Sequence, residues 1–366
     1  GYVGHYTQVY AQCLGRPRKL DPSLALEHVV DYFETEYFGT VPDISNLVSV
    51  RVAADKVHTT ISRSSTKLDP CARRLVVVVG AQDCGTVGRE FGQMGYDCIE
   101  LGVLGSPDAD SLNDRAYKPE EHLEVGEHTC GAIALNVAVM RLVVARVCEI
   151  HAYTRVLAYG CSRYGKTAVW LAAKAPEVTG LFLQSAGPGG AAVSSLTNAS
   201  GETLHALAHP QNWAAWYRDG LYSRVEGLLR SEAFLDFDAL VLALAERRGV
   251  LVWIVSYWTD AWNNPLGARA LYESVRRYTN RVGIEQSAAW SLLSRITVPL
   301  LGIGPHCRDF PGLNTSLAHF SAFEDDPAGR SDPYAAEYSR KRRLQVEDWM
   351  GGTAVNFIHE LVVCER

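Results

Sequence analysis

The sequence lacks a long apolar run, an excess of basic residues and any Cys-x-x-Cys pair. No apolar segment approaches the ~18 residues that a membrane span needs. Lysine and arginine total 35 against 41 aspartates and glutamates, whereas a nucleic-acid-binding surface would be basic. The nine cysteines have neither zinc-ligand spacing nor the density of a disulfide scaffold. We therefore expect no metal, no cofactor, and neither nucleic acid nor membrane as a partner.

Strands and helices alternate through the middle of the chain, which at 366 residues is compatible with one large α/β domain or with two. Residues 75–79 form a continuous β-branched run ended by Gly80, typical of a strand buried on both faces of a parallel sheet. The alternation predicts a mostly parallel sheet with helices on both faces. Further strands are predicted at 98–101, 155–159, 181–183, 250–255 and 298–303, and helices at 24–38, 131–150 and 168–175.

Three other segments differ from this alternating core, which we place at residues 71–324. Residues 1–70 are predicted to be an N-terminal extension packing on the core, and 325–366 a polar C-terminal extension. Residues 191–235, rich in aromatic residues and histidine, form an insertion. They fit either a cap or binding wall over the sheet edge, or a helical pair packed on the main core. Residue 1 is glycine and no signal-peptide pattern follows, as expected of a chain that begins at a processing site or inside a longer polypeptide.

The segment Gly160-Cys-Ser-Arg-Tyr-Gly-Lys166 lies between a predicted strand and a predicted helix. A serine at such a turn is exposed above the carboxyl edge of the sheet, and small neighbours permit the sharp turn. Backbone N–H groups opening the next helix can bind a developing oxyanion. The pattern predicts a nucleophile elbow with Ser162 as the nucleophile, although the second glycine comes one residue later than in G-x-S-x-G. Phosphate binding and a plain tight turn also fit the pattern.

A serine nucleophile needs a base and an acid, which in an α/β-hydrolase follow in the order serine, acid, histidine. His306 directly follows the last predicted strand, and of the eleven histidines it alone has this position. Asp260 follows the preceding strand. We therefore predict a triad of Ser162, His306 and Asp260. A loop histidine bonded to the backbone and a turn or capping aspartate remain alternatives.

The serine segment resembles the Gly-Cys-Ser-Arg-Asn-Gly-Lys motif of glucuronoyl esterases, carbohydrate esterase family 15. Four later segments are similar to that family in the same order, at 184–191, 242–252, 260–265 and 306–311. The likeness does not extend over residues 1–70 or 325–366. It implies a divergent member of the α/β-hydrolase superfamily, with a three-layer α/β-hydrolase fold and a mostly parallel central sheet.

The resemblance also implies an activity. That family cleaves esters between glucuronic acid side chains of xylan and alcohols of lignin, so a small-molecule or carbohydrate ester is the expected substrate. Arg163 is similar to the family's oxyanion-stabilising arginine, Lys166 to its lysine contacting sugar hydroxyls, and Trp262 to its sugar-facing tryptophan. These residue types suit the roles, because a guanidinium is always charged and an indole offers an apolar face to a pyranose.

The sequence departs from the family at Ser185, where the family has a glutamate, and this leaves Asp260 as the acid. Cys161 and Cys307 match positions bridged in fungal members, which implies a disulfide; two buried free thiols are the alternative. We expect a secreted protein if the bridge forms and an intracellular one otherwise. The alternative function is a catalytically degenerate α/β-hydrolase-fold domain with a structural, binding or assembly role in a larger polypeptide, whose partner would be a protein.

Overall fold

The computed structural model describes residues 25–42, 59–62, 73–80, 84–101, 130–194, 202–210, 216–231 and 233–257, with separate residues between 267 and 278 and the pairs 296–297 and 300–301. Its strands are β1 (Thr59–Ser62), β2 (Arg74–Val79), β3 (Tyr96–Leu101), β4 (Arg155–Cys161), β5 (Gly180–Gln184), β6 (Leu251–Tyr257), β7 (Ile296–Thr297) and β8 (Leu300–Leu301).

Helices connect and flank these strands. They are α1 (Leu26–Phe33), continued by a π-helical turn (Glu34–Phe38), α2 (Cys84–Gln93), α3 (Ala132–Ile150), α4 (Arg163–Lys174), α5 (Leu204–Ala208), α6 (Leu221–Arg230) and α7 (Phe237–Arg247). Helix α4 begins at Arg163, not at 168 as predicted, because the turn at Ser162 leads directly into it. Within the described ranges, no helix combines the length and apolarity needed to cross a membrane.

The strands form one sheet in the order β1-β3-β2-β4-β5-β6-β7, and β8 also pairs with β6. Strand β1 is antiparallel to β3, whereas the other pairs are parallel. The predicted mostly parallel sheet is therefore confirmed. Strands β3 and β4 lie on opposite sides of β2, so the strand order reverses between β2 and β4. In open α/β sheets, ligands bind at the carboxyl ends of strands beside such a reversal.

The core lies on both faces of this sheet. Along β2, Leu75, Val77 and Val79 belong to the larger apolar cluster, which includes side chains of α1, α3, α4 and α7. Val76 and Val78 point to the opposite face, where they meet Phe91 of α2. These five residues of β2 are almost fully buried. Burial on both faces explains why the sequence of this strand is continuously apolar rather than alternating.

The N-terminal helix and its π-helical turn pack against the larger cluster. Phe33, Tyr37 and Phe38 are fully buried, and the Phe33 and Phe237 ring centroids are 4.9 Å apart. Arg224 of α6 donates to the carboxylate of Glu36 and to its backbone oxygen. The segment from 26 to 38 therefore contributes to the core, whereas the domain boundaries at 70 and 325 remain predictions.

Candidate active site

Ser162 lies between β4 and α4 in a backbone conformation that residues other than glycine rarely adopt. Its φ is 51° and its ψ is −124°, a conformation that costs of order 1–3 kcal/mol. Two hydrogen bonds hold it: the Ser162 N–H donates to the Gln184 oxygen at 2.9 Å, and the Gly165 N–H donates to the Ser162 oxygen at 3.0 Å. This is the strand–turn–helix geometry of a nucleophile elbow.

The side chain of Ser162 is partly exposed and makes no capping hydrogen bond to α4. Serine is a favoured N-cap residue because its oxygen can accept from the first turn of a helix. Capping therefore does not explain the serine at this position. The role of Ser162 as nucleophile remains a prediction, but its backbone geometry and exposure are compatible with it.

Two glycines make the turn sterically feasible. A Cβ at position 160 would lie 2.4 Å from the backbone oxygen of Tyr164, and a Cβ at position 165 would lie 2.5 Å from the Cβ of Ala186. Both distances are shorter than real Cβ contacts allow. Gly160 thus lets the first turn of α4 fold back over β4, and Gly165 lets α4 approach the loop after β5. Gly165 stands one residue later than the second glycine of G-x-S-x-G, and the close contact with Ala186 requires a glycine there.

Tyr164 occupies the space above the end of β2. Its side chain is 6 % exposed, and a Cβ at Gly80, which has a φ of +96°, would lie 2.4 Å from its Cδ2. The ring therefore packs directly on the backbone at the end of β2, beside the reversal of strand order.

Arg163 is the first residue of α4 and is partly exposed. Its guanidinium carbon lies 5.2 Å from the ring centroid of Trp216 and 5.7 Å from that of Tyr164. Both distances fall within the range of cation–π attraction. The cation is thus held next to the nucleophile candidate by aromatic faces.

Lys166 is almost fully buried, at 2 % exposure. Its ammonium donates to the backbone oxygen of Ala186 at 2.8 Å and to the carboxylate of Glu202 at 3.2 Å. A Cβ at Gly189, which has a φ of +93°, would lie 3.2 Å from Cδ and Cε of Lys166, so this loop wraps around the lysine stem. A buried cation needs such partners to offset its lost hydration.

Tyr217 packs at the same glycine as Lys166. Its hydroxyl would lie 2.8 Å from a Cβ at Gly189, and it has no hydrogen-bond partner in the described part of the chain. Burial, and secondarily the charge of Glu202, raise the pKa of Tyr217 well above its ordinary value. The phenol is therefore protonated at physiological pH and can act as a hydrogen-bond donor.

The sequence placed Trp216 and Tyr217 in a segment that fits a binding wall and offered Glu202 as a competing acid, but it did not predict their contacts with Arg163 and Lys166. The aromatic and histidine content of 191–235 indicated that this segment was unusual, but nothing local distinguished these three residues. Glu202 is 36 positions from its partner Lys166, so no motif spacing connects them. The contacts show that this segment reaches the first turn of α4.

Ser185, where the resembled family has a glutamate, follows β5 directly. Its φ is 49° and its N–H donates to the Val255 oxygen at 2.9 Å. Its side chain is 1 % exposed, and its hydroxyl has no hydrogen-bond partner among the residues that the structure describes. A serine here cannot supply the carboxylate that a triad needs.

The remaining predicted site residues, Asp260, Trp262, His306 and Cys307, lie outside the described residues, and their roles remain predictions. Cys161 is partly exposed and is not among the three cysteines that the structure describes as free, which are Cys98, Cys130 and Cys148. The pairing of Cys161 with Cys307 therefore remains a prediction.

No family model and no curated protein matches the sequence, but several solved structures share its fold. The catalytic domain of a Hypocrea jecorina glucuronoyl esterase is 17% identical over 81% of both chains, with a TM-score of 0.57. A Sporotrichum thermophile glucuronoyl esterase is 16% identical, covering 84% of this chain and 83% of its own, with a TM-score of 0.60.

A family 15 glucuronoyl esterase from Caldicellulosiruptor kristjansonii is 13% identical, covering 83% of this chain and 84% of its own, with a TM-score of 0.53. At these identities the likeness concerns the fold. The α/β-hydrolase fold predicted from the sequence is therefore confirmed, and the expected structural resemblance to glucuronoyl esterases is confirmed at the level of the fold.

Proposed function

We propose that the protein is a serine carboxylester hydrolase that cleaves an ester of a uronic acid or a similar acyl group. The observation that carries the proposal is the turn at Ser162. A partly exposed serine with a φ of 51° stands between β4 and α4, beside the reversal of strand order. Strained backbone is retained where the surrounding structure over-determines it, and it concentrates at active sites.

The chemistry that we propose is acyl transfer in two steps. The Ser162 Oγ attacks the ester carbonyl carbon, His306 accepts the hydroxyl proton, and Asp260 orients the imidazole. The tetrahedral intermediate collapses to an acyl-enzyme, and the alcohol leaves with the proton from His306. Water then attacks the acyl carbon and gives its proton to His306. The bond between the acyl carbon and Oγ breaks, Oγ takes the proton back from His306, and the carboxylic acid is released.

Arg163 would stabilise the negative oxygen of the tetrahedral intermediate. A cation in the first turn of a helix is opposed by the helix dipole, whose amino end is positive. Helix stability therefore does not favour an arginine at the start of α4. A fixed positive charge next to a developing oxyanion does favour it, because such charges lower the barrier when they are already in place.

Lys166 and Glu202 would bind the hydroxyls of the acyl group. An ammonium can only donate hydrogen bonds and a carboxylate can only accept them, so the pair fits hydroxyls, which do both. Trp262 would face the sugar ring. The Sporotrichum thermophile glucuronoyl esterase has been solved in complex with methyl 4-O-methyl-β-D-glucopyranuronate. A uronate methyl ester is therefore the first substrate to test.

A disulfide would join Cys161 to Cys307. The two cysteines are chain neighbours of Ser162 and His306, so a bridge between them would pin the histidine loop against the elbow. Loop-entropy arguments give about 4–5 kcal/mol for a closure of this length, less any native strain.

The proposal is tested by labelling the protein with a fluorophosphonate and by measuring hydrolysis of methyl glucuronate. The wild type should be labelled and active, whereas Ser162→Ala should be neither. Ser185→Ala is the matched control, because it removes a second strained serine at the same edge and should leave both readouts in place. A folded wild type that is neither labelled nor active would contradict the proposal and favour the catalytically degenerate domain.

The acid assignment has its own test. Asp260→Asn should lower kcat by about 10⁴-fold, since removing the orienting acid of a working triad has that effect. Glu246→Gln is the control, because Glu246 lies near the end of α7 and pairs with Arg247 at the protein surface. An active enzyme in which Asp260→Asn leaves kcat unchanged would show that another acid orients His306.

A further inference from the structure

Two buried aromatic rings face the guanidinium of Arg163, and we call Tyr164 and Trp216 the aromatic bracket. Each ring is only 6 % exposed. Their centroids lie 6.3 Å apart with an interplanar angle of 52°, and the guanidinium carbon is 5.2 and 5.7 Å from them. One ring belongs to α4 itself, and the other comes from the segment that precedes α6.

Each half of the bracket is fixed to a rigid element. The Tyr164 ring packs on Gly80, where a Cβ would lie 2.4 Å from Cδ2. The backbone of Trp216 packs on Gly131, where a Cβ would lie 2.4 Å from the Trp216 oxygen. Gly80 follows β2, and Gly131 directly precedes α3. The bracket therefore packs against the residue that follows β2 and the residue that precedes α3.

We infer that Tyr164 and Trp216 are positioning residues, which hold the Arg163 guanidinium where the oxyanion of the tetrahedral intermediate develops. The inference rests on the proposed function. An arginine side chain has many rotamers and loses that freedom when it binds. A guanidinium already held by cation–π attraction to two rings loses less, and preorganised charge is what stabilises a transition state. Cation–π attraction is also stronger where the rings exclude water.

The inference gives the segment before α6 a part in catalysis without contact to the substrate. Trp216 would act through Arg163, so its effect on kcat should depend on the arginine. A tryptophan that only stabilises the fold would act independently of Arg163. A double-mutant cycle separates these cases, because it measures the coupling between two positions.

The cycle uses Trp216→Leu, Arg163→Gln and the double variant, with methyl glucuronate as substrate. Trp216→Leu should lower kcat about tenfold and change KM by less than about twofold. The expected loss in kcat is smaller than the ~10²–10³-fold loss that follows outright removal of an oxyanion donor. In the Arg163→Gln background the same substitution should change kcat by less than about twofold. Trp216→Phe keeps an aromatic face and should retain most of kcat. Equal losses in both backgrounds would overturn the inference.

Trp253→Leu is the matched control. Trp253 is 7 % exposed, but it packs in the smaller cluster on the other face of the sheet. The control removes a buried indole of similar exposure away from Arg163, and it should leave kcat unchanged in protein that remains folded. A tenfold loss of kcat in Trp253→Leu would show that the effect of Trp216→Leu comes from a general loss of packing. That result would overturn the inference.

A second readout does not depend on activity. The ¹⁵Nε relaxation of Arg163, assigned by loss of the signal in Arg163→Lys, should show a rigid side chain in wild type and Trp253→Leu and a mobile one in Trp216→Leu. An equally rigid arginine in Trp216→Leu would overturn the bracket itself. An inactive, unlabelled wild type with a rigid Arg163 would overturn the proposed function and, with it, the catalytic role of the bracket. The relaxation data would still establish the contact between Arg163 and the bracket.

Discussion

The turns that follow β4 and β5 share one unusual feature and differ in nearly everything else. Within the described ranges, Ser162 and Ser185 are the non-glycine residues with positive φ, at 51° and 49°. They follow Cys161 and Gln184, which are register partners on neighbouring parallel strands. The two strained serines therefore stand side by side at the carboxyl edge of the sheet.

The turns diverge in what comes next. After Ser162 a helix starts at once, and the serine is partly exposed. After Ser185 the N–H groups of Gly190, Ala191 and Ala192 donate to the Gly187 oxygen, and the serine is buried. Backbone strain at a strand end therefore does not distinguish a nucleophile by itself. The two serines differ in exposure, because Ser162 is partly exposed and Ser185 is buried.

The largest expected difference between the two turns is catalytic. Ser162→Ala should lower kcat by about 10⁴-fold or more, because the nucleophile of a triad contributes most of its rate enhancement. Ser185→Ala should change kcat by less than about threefold, since a buried hydroxyl away from the reacting atoms is removed. Initial rates with methyl glucuronate test both. Similar losses in the two variants would show that the comparison assigns the serines wrongly.

A hydrogen bond from Lys166 also joins the two turns, and the same ammonium forms an ion pair with Glu202. Lys166 of α4 donates to Ala186 after β5 and to Glu202, and the two charged side chains are only 3 % and 16 % exposed. Lys166→Met should lower the free energy of unfolding by about 3–5 kcal/mol, because it leaves a largely buried carboxylate without its partner. Urea unfolding followed by circular dichroism measures this.

Two further variants sharpen that measurement. Adding Glu202→Gln to Lys166→Met should recover part of the loss, since the unpaired charge is removed. Arg230→Met is the control, because Arg230 and Glu226 form an ion pair that is 80 % and 66 % exposed, and pairs of this kind contribute about 0.5 kcal/mol or less. A loss in Lys166→Met no larger than in the control would mean that solvent reaches the Lys166 pair.

Steric contact between the turns gives a smaller effect. A Cβ at Gly165 would lie 2.5 Å from the Cβ of Ala186, so Gly165→Ala should push α4 away from the turn after β5. We expect a loss of about 1–3 kcal/mol in the free energy of unfolding, as for other overpacked sites. Gly227→Ala in α6 is the control, because nothing lies within 4 Å of its Cβ. Gly227→Ala should raise the free energy of unfolding by about 0.5–1 kcal/mol, because alanine has the higher helix propensity. A gain in both variants would contradict the close approach of the two turns.

The sequence predicted the parts of this arrangement that are local in the chain. The β-branched run of β2 indicated a strand buried on both faces, and the glycines around Ser162 indicated a sharp turn. The start of α4 was placed five residues late, because 163–167 contain a glycine and polar residues that weaken the helical pattern. Nothing in the sequence indicated the strained backbone at Ser185, since serine has no preference for positive φ. The contacts of Arg163 with Trp216 and of Lys166 with Glu202 depend on tertiary packing, which residue spacing does not encode.

The smallest expected effect concerns the stability of the turn after β5. The Ser185 hydroxyl is buried without a hydrogen-bond partner in the described structure, and a buried unpaired hydroxyl costs about 1–3 kcal/mol. Ser185→Ala should therefore raise the free energy of unfolding by about 1 kcal/mol, because the backbone keeps its φ while the desolvated group is removed. Ser185→Gly should add roughly another 0.5 kcal/mol, since the relief of positive φ exceeds the entropy that glycine gains in the unfolded chain. Urea unfolding of the two variants separates the contribution of the hydroxyl to stability from that of the backbone conformation. A loss of stability in Ser185→Ala would mean that the hydroxyl is hydrogen-bonded in solution, and the two serines would then differ in their partners as well as in their exposure.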